Sequence, residues 1–251
     1  MDRKEQIEAR FGVAAEAYAK SEHASGRDLE RMLELADLCG NEKVLDIATG
    51  SGHTAIAFAP HVASVVATDM AEGMLAKTRE RAPANVEVRF ADAESLPFED
   101  ESFDIVTCRI APHHFLDIQA ATIEVARVLK PGGRYVLVDS LAPESPVAAA
   151  FLHDVESRRD PTHVLSLTES GWRSACSNAR LEVLHSEPIR KPHDFEAWLD
   201  RGGCGHETKE QLRSAFAEAP PEARDALKIR VEAGRVTFFA DEKLLLVARK
   251  V

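Results

Sequence analysis

Val44-Leu45-Asp46-Ile47-Ala48-Thr49-Gly50-Ser51-Gly52-His53-Thr54-Ala55 reads as a buried strand, a glycine turn and the first turn of a helix. Glycine lets the backbone approach a ligand that a Cβ would hold off. The helix start behind it offers free backbone N–H groups to whatever sits in the turn. Asp69 lies 19 residues after Gly50 and ends a second apolar strand, Ser64-Val65-Val66-Ala67-Thr68-Asp69. A carboxylate at that place in a βαβ unit accepts hydrogen bonds from a ribose diol. The chain up to Asp69 therefore describes a site for an adenosine-containing cofactor.

Gly50-x-Gly52-x-x-Ala55 has the outline of a dinucleotide fingerprint, but Asp46 argues against a pyrophosphate. A carboxylate inside the strand would repel a phosphate and attract an ammonium or sulfonium group. The glycines alone also fit a tight turn without a ligand, so the segments that follow decide. Phe90-Ala91-Asp92-Ala93-Glu94-Ser95-Leu96-Pro97-Phe98 and Ser102-Phe103-Asp104-Ile105-Val106-Thr107-Cys108-Arg109 continue the alternation. Arg127-Val128-Leu129-Lys130-Pro131-Gly132-Gly133-Arg134-Tyr135-Val136-Leu137-Val138 reads as a helix end, a Pro-Gly-Gly turn and a strand. Together these segments resemble class I S-adenosylmethionine-dependent methyltransferases, whose first motif has the form D-x-G-x-G-x-G. Here the motif is carried by Asp46, Ala48, Gly50 and Gly52, with alanine in place of the first glycine. The match spans about residues 40 to 140 in order and spacing. It is nearest the branch that holds the ubiquinone- and menaquinone-biosynthesis methyltransferases.

The resemblance implies S-adenosylmethionine as cofactor and a small-molecule acceptor, quinone-like or aromatic, methylated by in-line displacement. Gly50 and Gly52 would meet the cofactor through their backbone and Asp69 through its ribose. Asp92 would meet the adenine amino group, with the Ala93 N–H on a ring nitrogen. Met70 and Leu96 would pack the adenine faces or are ordinary core. Asp46 serves the methionine end, directly or through water, or else caps the glycine loop. Arg109 meets the methionine carboxylate or holds its loop. His113-His114, in the loop after the fourth strand, is the candidate catalytic pair, since imidazole is the usual general base near neutrality. The plainer alternative is loop histidines that shape the pocket. Phe11, Tyr18 and His23 resemble the family's opening helix over the cofactor, and Tyr18 is a third catalytic candidate. Phe115, Phe151 and Trp198 line an acceptor pocket or pack a lid.

Composition narrows the reading. The 251 residues are 45% hydrophobic, enough for one α/β domain with an added cap. A net charge of −11 with scattered Lys and Arg opposes a nucleic-acid partner. Cys39, Cys108, Cys176 and Cys204 show no metal or redox spacing, and no metal is expected. There is no apolar leader and no long apolar run, so the expectation is a cytoplasmic protein without membrane insertion. A homodimer is left open. A dehydrogenase is disfavoured because no Tyr-x-x-x-Lys exists. An S-adenosylmethionine-binding protein of the same fold that does not transfer methyl, in a cyclase-like or binding role, stays open as the alternative.

The expected fold is a Rossmann-like α/β domain. The resemblance gives it a seven-stranded, mostly parallel sheet, helices on both faces, an antiparallel last strand and a helical cap. Strands are predicted near 43–48, 64–69, 86–91, 103–109 and 134–140, with helices near 52–60, 71–82 and 117–130. Residues 1–40 read as helical, with Gly40 as the stop. A helix is predicted over 145–159, another from a Thr168 cap, and a strand at 181–185. Helical pieces follow over 194–233, then a hairpin of 236–239 and 244–247 turning at Asp241-Glu242. The core then comprises about 41–140, 166–191 and 235–251. Segments 1–30, 141–165 and 192–234 are surplus and read as a lid.

Overall fold

The computed structural model describes residues 4–6, 8–12 and 26–251. Tyr18 and His23 lie outside the described residues. Residues 4–6 and 8–12 are helical. The chain then runs α1 (Arg27–Leu35), β1 (Lys43–Ile47), α2 (His53–Phe58), β2 (Ser64–Asp69), α3 (Glu72–Arg81), β3 (Val86–Phe90) and β4 (Phe103–Arg109). A 3₁₀ turn at Pro112–His114 leads to α4 (Ile118–Val128), β5 (Leu129–Leu141), α5 (Pro146–Arg159), α6 (Glu169–Asn178) and β6 (Leu181–Asp194). Last come α7 (Phe195–Arg201), α8 (His206–Ala217), α9 (Pro221–Ala226), β7 (Arg230–Glu232) and β8 (Arg235–Lys250).

The sheet order is β3-β2-β1-β4-β5-β8-β6, and the three-residue β7 pairs with β8 alone. Strands β1 to β5 are parallel, while β8 is antiparallel to both β5 and β6. The inner strands β1, β2 and β4 are buried on both faces because helices cover both, while the edge strand β3 alternates Val86 and Val88 with Glu87 and Arg89. Leu45 and Ile47 join Phe103, Tyr135 and Trp172 under α4 and α6. Val44, one residue out of phase, packs with Met32 and Phe58 under α1 and α2. A third core holds Leu152, Trp198, Phe216 and Phe239.

Four expectations are corrected. Residues 235–250 form one strand rather than a hairpin. Asp241-Glu242 supplies neither Gly nor Asn for a two-residue turn. Instead Asp241 pairs across the sheet, 3.0 Å from His193 Nε2, and the tight turn falls at Ala233-Gly234 (φ 49° and 77°) between β7 and β8. The first long helix ends at Leu35, not at Gly40. Arg134 of β5 donates to the carbonyls of Ala36 (2.8 Å) and Asp37 (3.0 Å), which satisfies the helix end early. The Pro131-Gly132-Gly133 segment falls inside β5 as an irregularity, with partners slipping from Phe103↔Leu129 to Ile105↔Arg134. Strand β6 also runs on to Asp194 rather than ending at 185, and its His193 ring stacks on Phe239 of the third core at 4.7 Å.

Candidate active site

A cleft of about 1050 Å³, part of it open solvent, lies at the carboxyl ends of β1, β2 and β4. Such ends, where strand order reverses, are where open α/β sheets bind ligands. Ala48, Gly50, Asp69, Met70, Asp92, Ala93, Arg109 and His114 line it. Of the remaining sequence candidates, Gly52, Asp46 and His113 stand behind the wall, and Leu96 is 5% exposed in the core.

The glycine turn is shaped for close approach. Gly50 has φ +58°, and a Cβ built there meets nothing within 4 Å, so its absence leaves that wall of the cleft open. At Gly52 (φ +83°) a Cβ would stand 2.7 Å from Thr78, so the turn could not pack onto α3. Ala48, where the family motif has glycine, also holds a positive φ of 50°. An L-residue there is strained by ~1–2 kcal/mol. Ala48→Gly is expected to raise the melting temperature by ~2–4 °C in thermal denaturation, for a gain of ~1 kcal/mol. A lower melting temperature would show that the methyl group packs usefully.

Asp69 binds the turn on one side and faces the cleft on the other. Its Oδ2 accepts the Gly50 N–H and its Oδ1 the Ala71 N–H, each at 2.8 Å. Burial raises its pKa, and the amides of Ala71, Gly50 and Met70 oppose that. Each carboxylate oxygen keeps a second lone pair for a hydroxyl donor. Asp92 accepts the Glu94 N–H at 2.9 Å and pairs with Lys4 Nζ at 2.5 Å. Lys4 also reaches Glu94 at 3.0 Å. The N-terminal helix thus touches the Asp92 end of the cleft.

Asp46 is 1% exposed and does not line the cleft, so contact with a ligand would have to pass through the loop it holds. Its Oδ1 accepts from Thr107 Oγ1 at 2.6 Å and its Oδ2 from the Thr49 hydroxyl. Burial pushes its pKa up to about 6, against the pull of those hydroxyls, the Ala55 amide and the Arg109 charge. Arg109 is held by Asp28 of α1 through Nε (2.9 Å) and Nη2 (3.1 Å).

The two histidines part company. His113 is 9% exposed, and its Nδ1 lies 2.6 Å from Asp139 Oδ1, a fully buried carboxylate. Burial works against its charge, but Asp139 prevails and its pKa rises. His114 lies on the cleft wall, with Phe11 edge-on at 4.9 Å. Burial first, and then the neighbouring His113, drive its pKa well down, so its ring is neutral at pH 7. Its Nδ1 lies 3.1 Å from the Thr162 carbonyl oxygen and 3.3 Å from Thr162 Oγ1.

Phe115 lines the cleft, whereas Phe151 and Trp198 pack in the third core against Phe216. The lining residues lie between Lys4 and Leu116, and none belongs to 192–234. The helices of that segment cover the far ends of β6 and β8 instead. Sequence reasoning missed Thr49, Thr107, Asp28, Asp139, Asp160 and Thr162. Asp139, an acid inside the apolar run Tyr135–Leu141, carried the one usable signal. Among the described residues no group of three or more His, Cys, Asp or Glu is placed to hold a metal ion. No helix among them is long and apolar enough to cross a membrane.

Fold and cleft together define a Rossmann-like α/β protein with a cleft at the carboxyl ends of its parallel strands. A family model described as a methyltransferase domain matches residues 45–137. The chain is 39% identical to the uncharacterized methyltransferase YcgJ of Bacillus subtilis, over 88% of this chain and 90% of YcgJ. It is 34% identical to the demethylmenaquinone methyltransferase of Clavibacter sepedonicus, over 79% of this chain and 82% of that one. A solved structure from Bacillus halodurans superposes with a TM-score of 0.86 at 42% identity, covering 90% of this chain and 99% of that one. The chain belongs to the class I S-adenosylmethionine-dependent methyltransferases.

Proposed function

We propose that this enzyme methylates a small aromatic or quinone-like molecule carrying an acidic hydroxyl or carbon acid, with S-adenosylmethionine as donor. The observation that carries the reading is a neutral imidazole, His114, on the wall of the cleft that also holds Gly50, Asp69 and Asp92. The bound cofactor supplies a methyl group on a sulfonium. Asp69 accepts the ribose hydroxyls and Asp92 the adenine amino group. Asp46 and its threonines fix the turn at the methionine end, and the Arg109–Asp28 pair walls the cleft beside it. Phe11, Phe115, Ile110 and Met70 make the remainder apolar, which suits a flat acceptor and excludes water. His114 takes the acceptor's proton. Most of the acceleration comes from holding the reactants in line, which is worth up to ~7–11 kcal/mol. The demethylmenaquinone methyltransferase relatives support the acceptor class, and the family favours transfer over a role in binding alone. We further infer a cytoplasmic enzyme with the cofactor core in 41–140, 166–191 and 235–251. Lys4 and Phe11 of the first segment line the cleft and Thr162 of segment 141–165 backs it against His114, and a homodimer is compatible with this arrangement.

Calorimetry tests the cofactor assignment. S-Adenosylmethionine and its demethylated product should both bind, and NAD should not. Asp69→Ala should weaken binding of both sulfur ligands by ~1–3 kcal/mol, since charge-assisted hydrogen bonds are lost. Unchanged affinity in a folded Asp69→Ala variant would remove Asp69 from the ribose site. Binding of NAD with no response to either sulfur ligand would overturn the whole assignment.

A further inference from the structure

Between α5 and α6 the loop Asp160-Pro161-Thr162-His163 passes behind the catalytic candidate, and its hydrogen bonds run in one sense. Asp160 Oδ1 accepts the Thr162 N–H at 2.9 Å and the Thr162 hydroxyl at 2.6 Å. A carboxylate is acceptor-only when ionised, and a threonine hydroxyl has one hydrogen. Burial works against the Asp160 charge, but the hydroxyl and N–H of Thr162 outweigh it and the pKa is lowered, so the carboxylate form is the one present. The Thr162 hydrogen is therefore committed to Asp160. Toward His114 Nδ1, Thr162 then offers only lone pairs, from its carbonyl oxygen at 3.1 Å and its Oγ1 at 3.3 Å. A ring nitrogen facing two acceptors must carry hydrogen. In a neutral imidazole this leaves the lone pair on Nε2.

We propose that Asp160 is a positioning residue that, through Thr162, locks His114 into the tautomer whose Nε2 accepts the acceptor's proton. This rests on the reading of His114 as the base, and it goes further by fixing which nitrogen acts and why. It also restricts the substrate to acceptors that lose a proton, a phenol, enol or activated carbon acid. The acceptor's oxygen or carbon forms the new bond to the methyl carbon. The carbon–sulfur bond breaks with its electron pair left on sulfur. The acceptor's proton goes to His114 Nε2, and solvent takes it from there when product leaves. The imidazolium's Nδ1–H keeps its two oxygen acceptors, and the Asp160 charge lies one hydroxyl away. Arg10 Nε reaches the same Asp160 oxygen at 3.2 Å, so the N-terminal helix that carries Phe11 docks on this unit too.

The test reads the tautomer directly, by ¹⁵N NMR of histidine-labelled protein at pH 8, with the His114 signals assigned by their loss in His114→Gln. The intact protein should show His114 with its hydrogen on Nδ1. Asp160→Ala frees the Thr162 hydrogen to point at Nδ1, so the Nε2–H form should appear. Asp160→Asn keeps an acceptor oxygen, and Thr162→Val keeps the carbonyl, so both should retain the Nδ1–H form. These two variants disturb the same loop and separate tautomer control from general loosening. An Nε2–H ring in the intact protein, or an unchanged ring in Asp160→Ala, overturns the proposal. In turnover, Asp160→Ala should lose tenfold or more in kcat with cofactor affinity kept. Full kcat in Asp160→Ala while His114→Gln is crippled removes Asp160 alone. Full kcat in His114→Gln removes the base reading beneath it.

Discussion

His114→Gln is expected to lower kcat by ~10²–10⁴ while leaving cofactor affinity nearly unchanged. Glutamine retains a polar side chain of similar reach but cannot take a proton. The effect should appear in kcat because the proton moves only as the new bond forms. The pH profile carries the sign. Burial holds the His114 pKa well below its ordinary value, so the ring stays neutral throughout the physiological range. The wild-type rate should be flat with pH near 6.5, with its acid limb displaced well below that. A low pKa makes a weaker base, but the imidazolium forms as the sulfonium charge is lost, so the cleft holds one positive charge before and after. Stopped-flow or discontinuous measurement of kcat against pH decides the matter. An acid limb at 6.5, or a His114→Gln variant with unaltered kcat, would leave His114 as a wall residue.

How much of this was legible from residues alone depends on the range of the interaction. The glycine turn and its Asp69 anchor were, because Gly50, Gly52 and Asp69 act through local backbone geometry and a fixed βαβ spacing. The strands of the parallel core were legible for the same reason, being continuous apolar runs between turn signals. The surroundings of the two histidines were not. His113 and His114 are adjacent in sequence, yet one faces Asp139, 26 residues on, and the other Thr162, 48 residues on. Neither partner sits in a pattern that periodicity detects. The missed hairpin has a similar cause. Val236–Phe239 and Leu244–Val247 look like two strands because acidic Asp241-Glu242 divides them. Only the pairing with His193 and Arg190 of β6 makes those acids tolerable within one strand. Asp46 shows the reverse case. Its place in the motif was plain, but whether it meets a ligand or holds the turn depended on Thr107 and Thr49.

His113→Ala should damage the fold rather than the chemistry, by ~3–5 kcal/mol, the usual cost of removing one member of a buried ion pair. Asp139 is fully buried, and its Oδ2 has no hydrogen-bond partner among the described residues, so His113 Nδ1–H at 2.6 Å is what offsets its charge. Asp139→Asn is the milder change. An amide oxygen still accepts from Nδ1–H, and no charge is left stranded, so the loss should be only ~1 kcal/mol. The two substitutions together should cost less than His113→Ala alone. The pH dependence has a definite sign. The His113 pKa is raised, so the stability from its pair is fully present below 6.5 and is lost as pH rises through the elevated value. His163 runs the other way. Burial, with His113 and His153 nearby, pushes its pKa down to about 3, so its contribution is present above 6.5 and is lost as pH falls toward 3. Urea unfolding across this range should therefore give a maximum for the wild type. In Asp139→Asn the decline on the alkaline side should flatten while the acid decline persists. An alkaline slope that survives in Asp139→Asn would show that the His113 charge draws its stability from some other group.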